Sequence, residues 1–113
     1  NTPIAEEKFD LDIQSFLFAK VDGNYLEIFC SNSDGIEKHL KRLTLKEFDD
    51  QLSSFDFIFK VHRSYIVNLK AIESISGNAQ GYALSLIDYT HKTIPVSRSK
   101  IQNFNRLYTD LSQ

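Results

Sequence analysis

The sequence predicts a mostly β domain: several short antiparallel strands in small sheets, with one short internal helix and a C-terminal helix. Three observations predict it. Apolar and polar residues alternate over short runs, as from Asn24 to Cys30, which is the period of a half-buried strand. Turn residues punctuate those runs, with Asp22-Gly23 and Gly77-Asn78-Ala79-Gln80 lying between apolar stretches. Helical spacing is confined to the residues after Thr44 and, at greater length, to Ile101, Phe104, Leu107, Tyr108 and Leu111.

Taken in order, residues 1 to 12 hold Glu6, Glu7, Asp10 and Asp12 with no sustained period, so they are expected to be a linker or edge segment. The domain itself is expected to occupy 13 to 113. Ser15 to Val21 reads as a strand, Asp22-Gly23 as a tight turn in which glycine supplies the positive dihedral, and Asn24 to Cys30 as the return. On that return Leu26, Ile28 and Cys30 share one face and Tyr25, Glu27 and Phe29 the other. Ser31 to Gly35 is a polar turn, and Ile36 to Leu43 a charged strand with Lys38, Lys41 and Arg42 directed outward.

Thr44-Leu45-Lys46-Glu47 is a capping box, since a threonine and a glutamate three residues apart satisfy each other's unpaired N–H groups. It opens a helix through Leu52 with Leu45, Phe48 and Leu52 inward; Glu47, Asp49 and Asp50 make that helix a poor partner for phosphate. Leu69 to Ser76 and Gly81 to Asp88 read as two strands, followed by a turn at Thr90-His91. Pro95 cannot donate to a ladder, so the strand around it is expected to be short or at an edge. Ser97 is placed as the N-cap of the last helix.

With 113 residues, 42% hydrophobic and 25% charged, the chain makes one ordinary globular domain. No apolar run reaches the length of a membrane span, and Asn1-Thr2-Pro3 is no signal peptide. The absence of methionine predicts a processed chain or a piece of a longer protein. Cys30 lies in an apolar strand pattern and is expected to be a core residue in a reducing compartment, the cytoplasm. His39, His62 and His91 lie apart with a single cysteine, and the 4 glycines form no phosphate-cradling loop, so neither a metal nor another cofactor is expected.

The formal net charge of -2 is unevenly spread. Residues 61 to 113 hold six cations (Arg63, Lys70, Lys92, Arg98, Lys100 and Arg106) against three carboxylates, whereas residues 1 to 60 hold seven against twelve. The second half can therefore present a positive face although the whole is acidic.

The densest polar display in an apolar setting is Phe59-Lys60-Val61-His62-Arg63-Ser64-Tyr65-Ile66-Val67-Asn68. Phe59, Val61, Tyr65 and Val67 anchor it, and Lys60, His62, Arg63 and Ser64 are shown together on a sharp loop. Such a display grips phosphate, and the planar fork of Arg63 matches the paired acceptors of guanine in the major groove. Alternatives stay open: His62 and Ser64 close a turn and Arg63 is simply solvated; Asn24 only tolerates a left-handed turn; Ser97 only caps; Arg98 pairs with a surface carboxylate. Asn68, among apolar neighbours, is expected to hydrogen-bond a backbone turn. A Ser64–His62–acid catalytic set can be written with Asp56 or Glu73, but there is no nucleophile elbow and no oxyanion segment, so the chain is not read as an enzyme.

This stretch, followed by Pro95-Val96-Ser97-Arg98 and preceded by Gly23-Asn24-Tyr25, resembles the ordered signature segments of the LytTR DNA-binding domain family over about Ile13 to Ile101. The resemblance implies a sequence-specific DNA-binding output domain of a bacterial transcriptional regulator, without catalysis, cofactor or small-molecule substrate. Its loops would enter successive grooves of double-stranded DNA. It implies base contacts by Asn24, Arg63 and Arg98, and contacts to the sugar-phosphate backbone by Tyr25, His62, Ser64, Ser97, Ser99 and Lys100. Lys20 is added to the backbone set for its charge near the hairpin mouth. An upstream receiver or sensor domain on the same chain, and a homodimer on repeated sites, are implied as partners. The other reading compatible with composition is a small β-rich protein-interaction module that binds no nucleic acid.

Overall fold

The computed structural model describes residues 2–4 and 9–111 of the chain. Two short strands, β1 (Thr2–Ile4) and β2 (Phe9–Leu11), pair antiparallel at its start. Glu6 and Glu7 of the expected linker lie outside the described residues. A five-stranded antiparallel sheet follows, in the order β5-β4-β3-β7-β6, from β3 (Phe16–Asp22), β4 (Tyr25–Asn32), β5 (Gly35–Lys41), β6 (Ile58–His62) and β7 (Tyr65–Asn68). Strands β8 (Ile72–Asn78), β9 (Gly81–Leu86) and β10 (Tyr89–Ser97) form a three-stranded sheet in the order β10-β9-β8. Helix α1 (Leu45–Gln51) lies between β5 and β6, and α2 (Ile101–Leu111) ends the domain. The expected class, mostly β with one internal and one terminal helix, is the class observed.

The five-stranded sheet is buried on both faces. One cluster gathers Leu11, Phe16, Ala19, Leu26, Ile28, Cys30, Phe48 and Ile66 beneath α1. The other gathers Phe18, Val61, Val67, Leu84, Ile94, Val96 and Phe104 against the three-stranded sheet and α2. Strand β3 serves both because its ladder slips between Phe16, opposite Cys30, and Phe18, opposite Phe29. The extra residue of that bulge, Leu17, lets Phe16 and Phe18 supply different cores. On the second face Phe18 stacks on Phe29 at 4.3 Å, and Tyr89 meets both rings edge-on at 4.9 and 5.6 Å. Those contacts fix the start of β10 over β3 and β4.

Several expectations hold in detail. The faces of β4 divide as the alternation required, and the capping box is complete, with Glu47 N–H donating to Thr44 Oγ1 at 3.0 Å and Thr44 N–H to Glu47 Oε1 at 2.8 Å. Asn68 is buried and bonds backbone on both sides, its Nδ2 donating to the Phe16 carbonyl at 2.8 Å and its Oδ1 accepting from Lys70 N–H at 2.9 Å.

Others are corrected. Leu69 to Ala71 is a 3-10 turn, so the strand expected from Leu69 begins at Ile72, because the Asn68 side chain winds the backbone around Lys70. The turn expected at Thr90-His91 falls at Ile87-Asp88, since Asp88 takes the left-handed conformation at φ 66 and its carboxylate accepts from Ser31 Oγ at 2.9 Å. Thr90 and His91 lie inside β10, which is an edge strand as Pro95 required but nine residues long. Ser97 occupies the cap position without a side-chain capping bond, and the chain enters α2 through a 3-10 turn, Arg98–Lys100.

Candidate nucleic-acid interface

The first tip is the hairpin between β3 and β4. Asp22 pairs with Tyr25 across Gly23-Asn24, and Gly23 sits at φ 61. Among the described non-glycine residues only Asp88 has positive φ, so Asn24 is not there to accommodate a left-handed backbone. Both Asn24 and Tyr25 are exposed, and the Arg42 guanidinium lies 5.7 Å over the Tyr25 ring.

The second tip joins β6 to β7, with His62 paired to Tyr65 across Arg63-Ser64. Ser64 N–H donates to His62 Nδ1 at 3.0 Å, and the His62 ring meets Tyr65 edge-on at 5.6 Å. That bond occupies the imidazole nitrogen with backbone and fixes the proton of the neutral ring on Nε2. Arg63 at the apex is exposed, and no hydrogen bond or ion pair engages it among the described residues.

These two tips are one structure. Strand β3 pairs with β7, Lys20 opposite Tyr65, and Val21 N–H donates to the Ser64 carbonyl at 3.0 Å. The neighbouring ladders put the tips about 5 Å to 10 Å apart laterally at the same end of one sheet. Asn24 and Arg63 are thus brought together although 39 positions separate them in the sequence.

The third segment comes from the other sheet. Strand β10 packs against β6 and delivers Ser97, then the turn carrying Arg98, Ser99 and Lys100. Arg98 and Ser99 are exposed, and Ser97 and Lys100 half-buried. Burial raises the pKa of the Asp49 carboxyl on α1, while the charges of Lys60 and Lys100 oppose that rise. Strand β6 touches both β10 and α2, which places the third segment on the β6 side of the sheet. Arg98 and Lys100 lie in the 3-10 turn that leads straight into α2, where the Ile101 N–H donates to the Arg98 carbonyl.

Lys20 sits one pleat behind the tips, half-buried, with its ammonium 3.8 Å from Glu27; Lys38 reaches the same carboxylate at 3.2 Å. Its proton is held more tightly than usual, first by a hydrogen bond with Lys92 and then by nearby charges including Glu27. Lys92 loses its own more easily because of that hydrogen bond and the charge of Lys20. Glu27 in a lysine network and Arg42 beside Tyr25 are features that residue-by-residue reading missed. Cross-strand register brings them together, and the only signal in the sequence was alternation along β4 and β5.

Among the described residues no group of three or more histidine, cysteine or carboxylate side chains is placed to hold a metal ion. No helix among them is long and apolar enough to cross a membrane. A pocket of about 410 Å³ lined by Asp12, Phe16, Asn68, Lys70 and Asp88 lies at the opposite end of the sheet from the tips. A smaller pocket of about 230 Å³, lined by Gly23, Asn24, Tyr25 and Leu43 among others, lies beside the first tip.

Comparison with known proteins follows the same lines. The model of the LytTr DNA-binding domain matches residues 6–109. The sensory transduction protein LytT of Oceanobacillus iheyensis is 35% identical over 95 residues, which is 83% of this chain and 37% of that protein. The chain thus spans little more than a third of that relative's length. A solved LytTr DNA-binding domain from Bacillus cereus superposes with a TM-score of 0.73 at 21% identity, over 88% of this chain and 85% of the other, a likeness of fold.

Proposed function

The chain belongs to the LytTR DNA-binding domain family, and from that membership we propose that it reads double-stranded DNA by sequence, as the output domain of a bacterial transcriptional regulator. One observation carries the reading: the Val21 N–H to Ser64 C=O bond and the β3–β7 ladder hold the Asn24 and Arg63 tips side by side on a rigid sheet. Rigid tips reach base edges without the ordering cost that free loops incur.

In this proposal Arg63 and Arg98 each take a guanine through the paired O6 and N7 acceptors, and Asn24 takes an adenine through N6 and N7. Each such pair contributes on the order of 1–3 kcal/mol of discrimination between bases. Tyr25, His62, Ser64, Ser97, Ser99 and Lys100 set register on the sugar-phosphate backbone, which fixes position without reading sequence. Lys20 contributes charge from one pleat behind. Catalysis, cofactor and small-molecule substrate have no part in it, and His62 holds the turn. A receiver or sensor domain upstream and pairing of two copies on repeated half-sites complete the proposal.

Selection of bound duplexes from a random pool, followed by titration of the parent, Arg63→Ala and Arg98→Ala on the selected site, tests it. Each variant should lose about 5- to 150-fold in preference for the selected site while keeping its fold. Parental affinity and preference in both variants would overturn the base-reading assignment. If the parent's affinity is insensitive to salt, the domain is a protein-interaction module instead, because phosphate neutralisation makes DNA affinity fall log-linearly with salt.

A further inference from the structure

The two larger sheets end on β5, β6, β8 and β10, and three of those edges are blunted. Strand β5 carries Glu37, Lys38, His39 and Lys41. Strand β6 breaks register between Phe59 and His62 and lies against β10 and α2. Strand β10 carries Lys92 and Pro95 and packs on β6. Charge, proline, bulges and cover are the usual means by which an edge is kept from pairing. Strand β8 is less protected: its register slips only at its start, between Ile72 and Ser74, every residue from Glu73 to Asn78 is exposed, and the strand contains neither lysine nor proline, with Glu73 its one charge.

We propose that β8 is an interaction edge to which a second copy of this chain adds antiparallel, making one continuous sheet from two three-stranded ones. The sequence of β8 is self-complementary about Ile75. With Ile75 opposite its own counterpart, Ser74 faces Ser76 and Glu73 faces Gly77, so the two carboxylates lie roughly 14 Å apart along the strand and never oppose each other. A strand rich in lysine or with paired acids would repel its own copy in that register; this one does not. Ile75 also extends an existing apolar row, since it pairs with Leu84, which pairs with Ile94, and both of those are fully buried. Its 38% exposure is what the second copy would cover. The same patch on both copies gives a closed, two-fold contact. DNA is not needed for it, so the inference stands or falls apart from the DNA reading.

Sedimentation of the free chain over a concentration series up to about 1 mM, where even a 4 kcal/mol association is half formed, should show a monomer–dimer equilibrium. Ile75→Cys should give a disulfide-linked dimer on mild oxidation, because cross-strand Cα atoms stand within disulfide reach; Cys30 is buried and does not compete. Ile75→Lys should weaken dimerisation by about tenfold by placing like charges face to face. Should that variant fail to fold, the double variant Ser74→Lys with Ser76→Lys, at exposed positions, carries the same expectation. A chain that stays monomeric throughout overturns the proposal, and so does a dimer that survives the lysine substitutions or leaves the Ile75→Cys thiols unlinked.

Discussion

Replacing Asn68 by alanine removes a side chain that staples the end of β7 to the start of β3. Its Nδ2 donates at 2.8 Å to the carbonyl of Phe16, a residue with no exposed surface, and its Oδ1 accepts at 2.9 Å from Lys70 N–H in the 3-10 turn. Two hydrogen bonds at about 1 kcal/mol each are lost, and a buried carbonyl left unpaired adds about 1–3 kcal/mol. Lys70 is exposed, so its N–H can turn to water, and the pocket lined by Phe16 and Asn68 admits a water to the carbonyl. The expected loss is therefore about 2–4 kcal/mol. With a urea m-value of about 2 kcal/mol/M, the midpoint should fall by roughly 1–2 M at unchanged slope. Asn68→Asp keeps the acceptor for Lys70 but sets a carboxylate against the Phe16 carbonyl. Its deficit should shrink in acid, where the protonated carboxyl can donate again. A midpoint within about 0.3 M of the parent for Asn68→Ala would refute the reasoning that this buried amide fastens the two strands.

Thr44→Ala breaks the capping box on α1 and should cost about 1 kcal/mol, seen as a melting temperature lower by about 4 °C. The Cys30 thiol is pushed up to about 11, chiefly by burial with help from Glu37 and Asp12. A thiol raised in the fold stabilises below its unfolded pKa and loses that contribution as pH climbs toward the folded value, so chemical denaturation should show stability declining from about pH 8.5 upward. Alkylation of Cys30 in native protein at pH 8 should be slow and should become fast only in denaturant. Lys100→Ala should weaken binding to all duplexes alike and flatten the plot of log affinity against log salt by about 0.9; an unchanged slope removes Lys100 from the phosphate contacts.

Much of this protein was legible in its residues one neighbourhood at a time. Asp22-Gly23 specifies a hairpin because glycine, lacking a Cβ, enters φ 61 most readily. Thr44 and Glu47 specify a helix start because each satisfies the other's donors, and the stripe from Ile101 to Leu111 specifies a helix that must lie on a core. Asn68 declared a backbone role by its apolar company. Local reading failed in three places. A partner remote in sequence decided one, since Ser31 beside Asp88 moves a turn away from Thr90-His91; Asn68 bonding Lys70 N–H two residues on delays β8, and Ser97 makes no capping bond, so α2 is entered through a 3-10 turn.

The sequence by itself determined which side chains stand at the turn apices, because guanidinium and amide groups there follow from residue type and turn chemistry. It could not determine how the apices stand to one another. The ladder between β3 and β7 sets Asn24 beside Arg63, and the packing of β10 on β6 brings the Arg98 segment to that sheet's edge. Register and sheet-on-sheet packing are settled by burying both faces of the five-stranded sheet at once, a condition that exists only in the assembled fold.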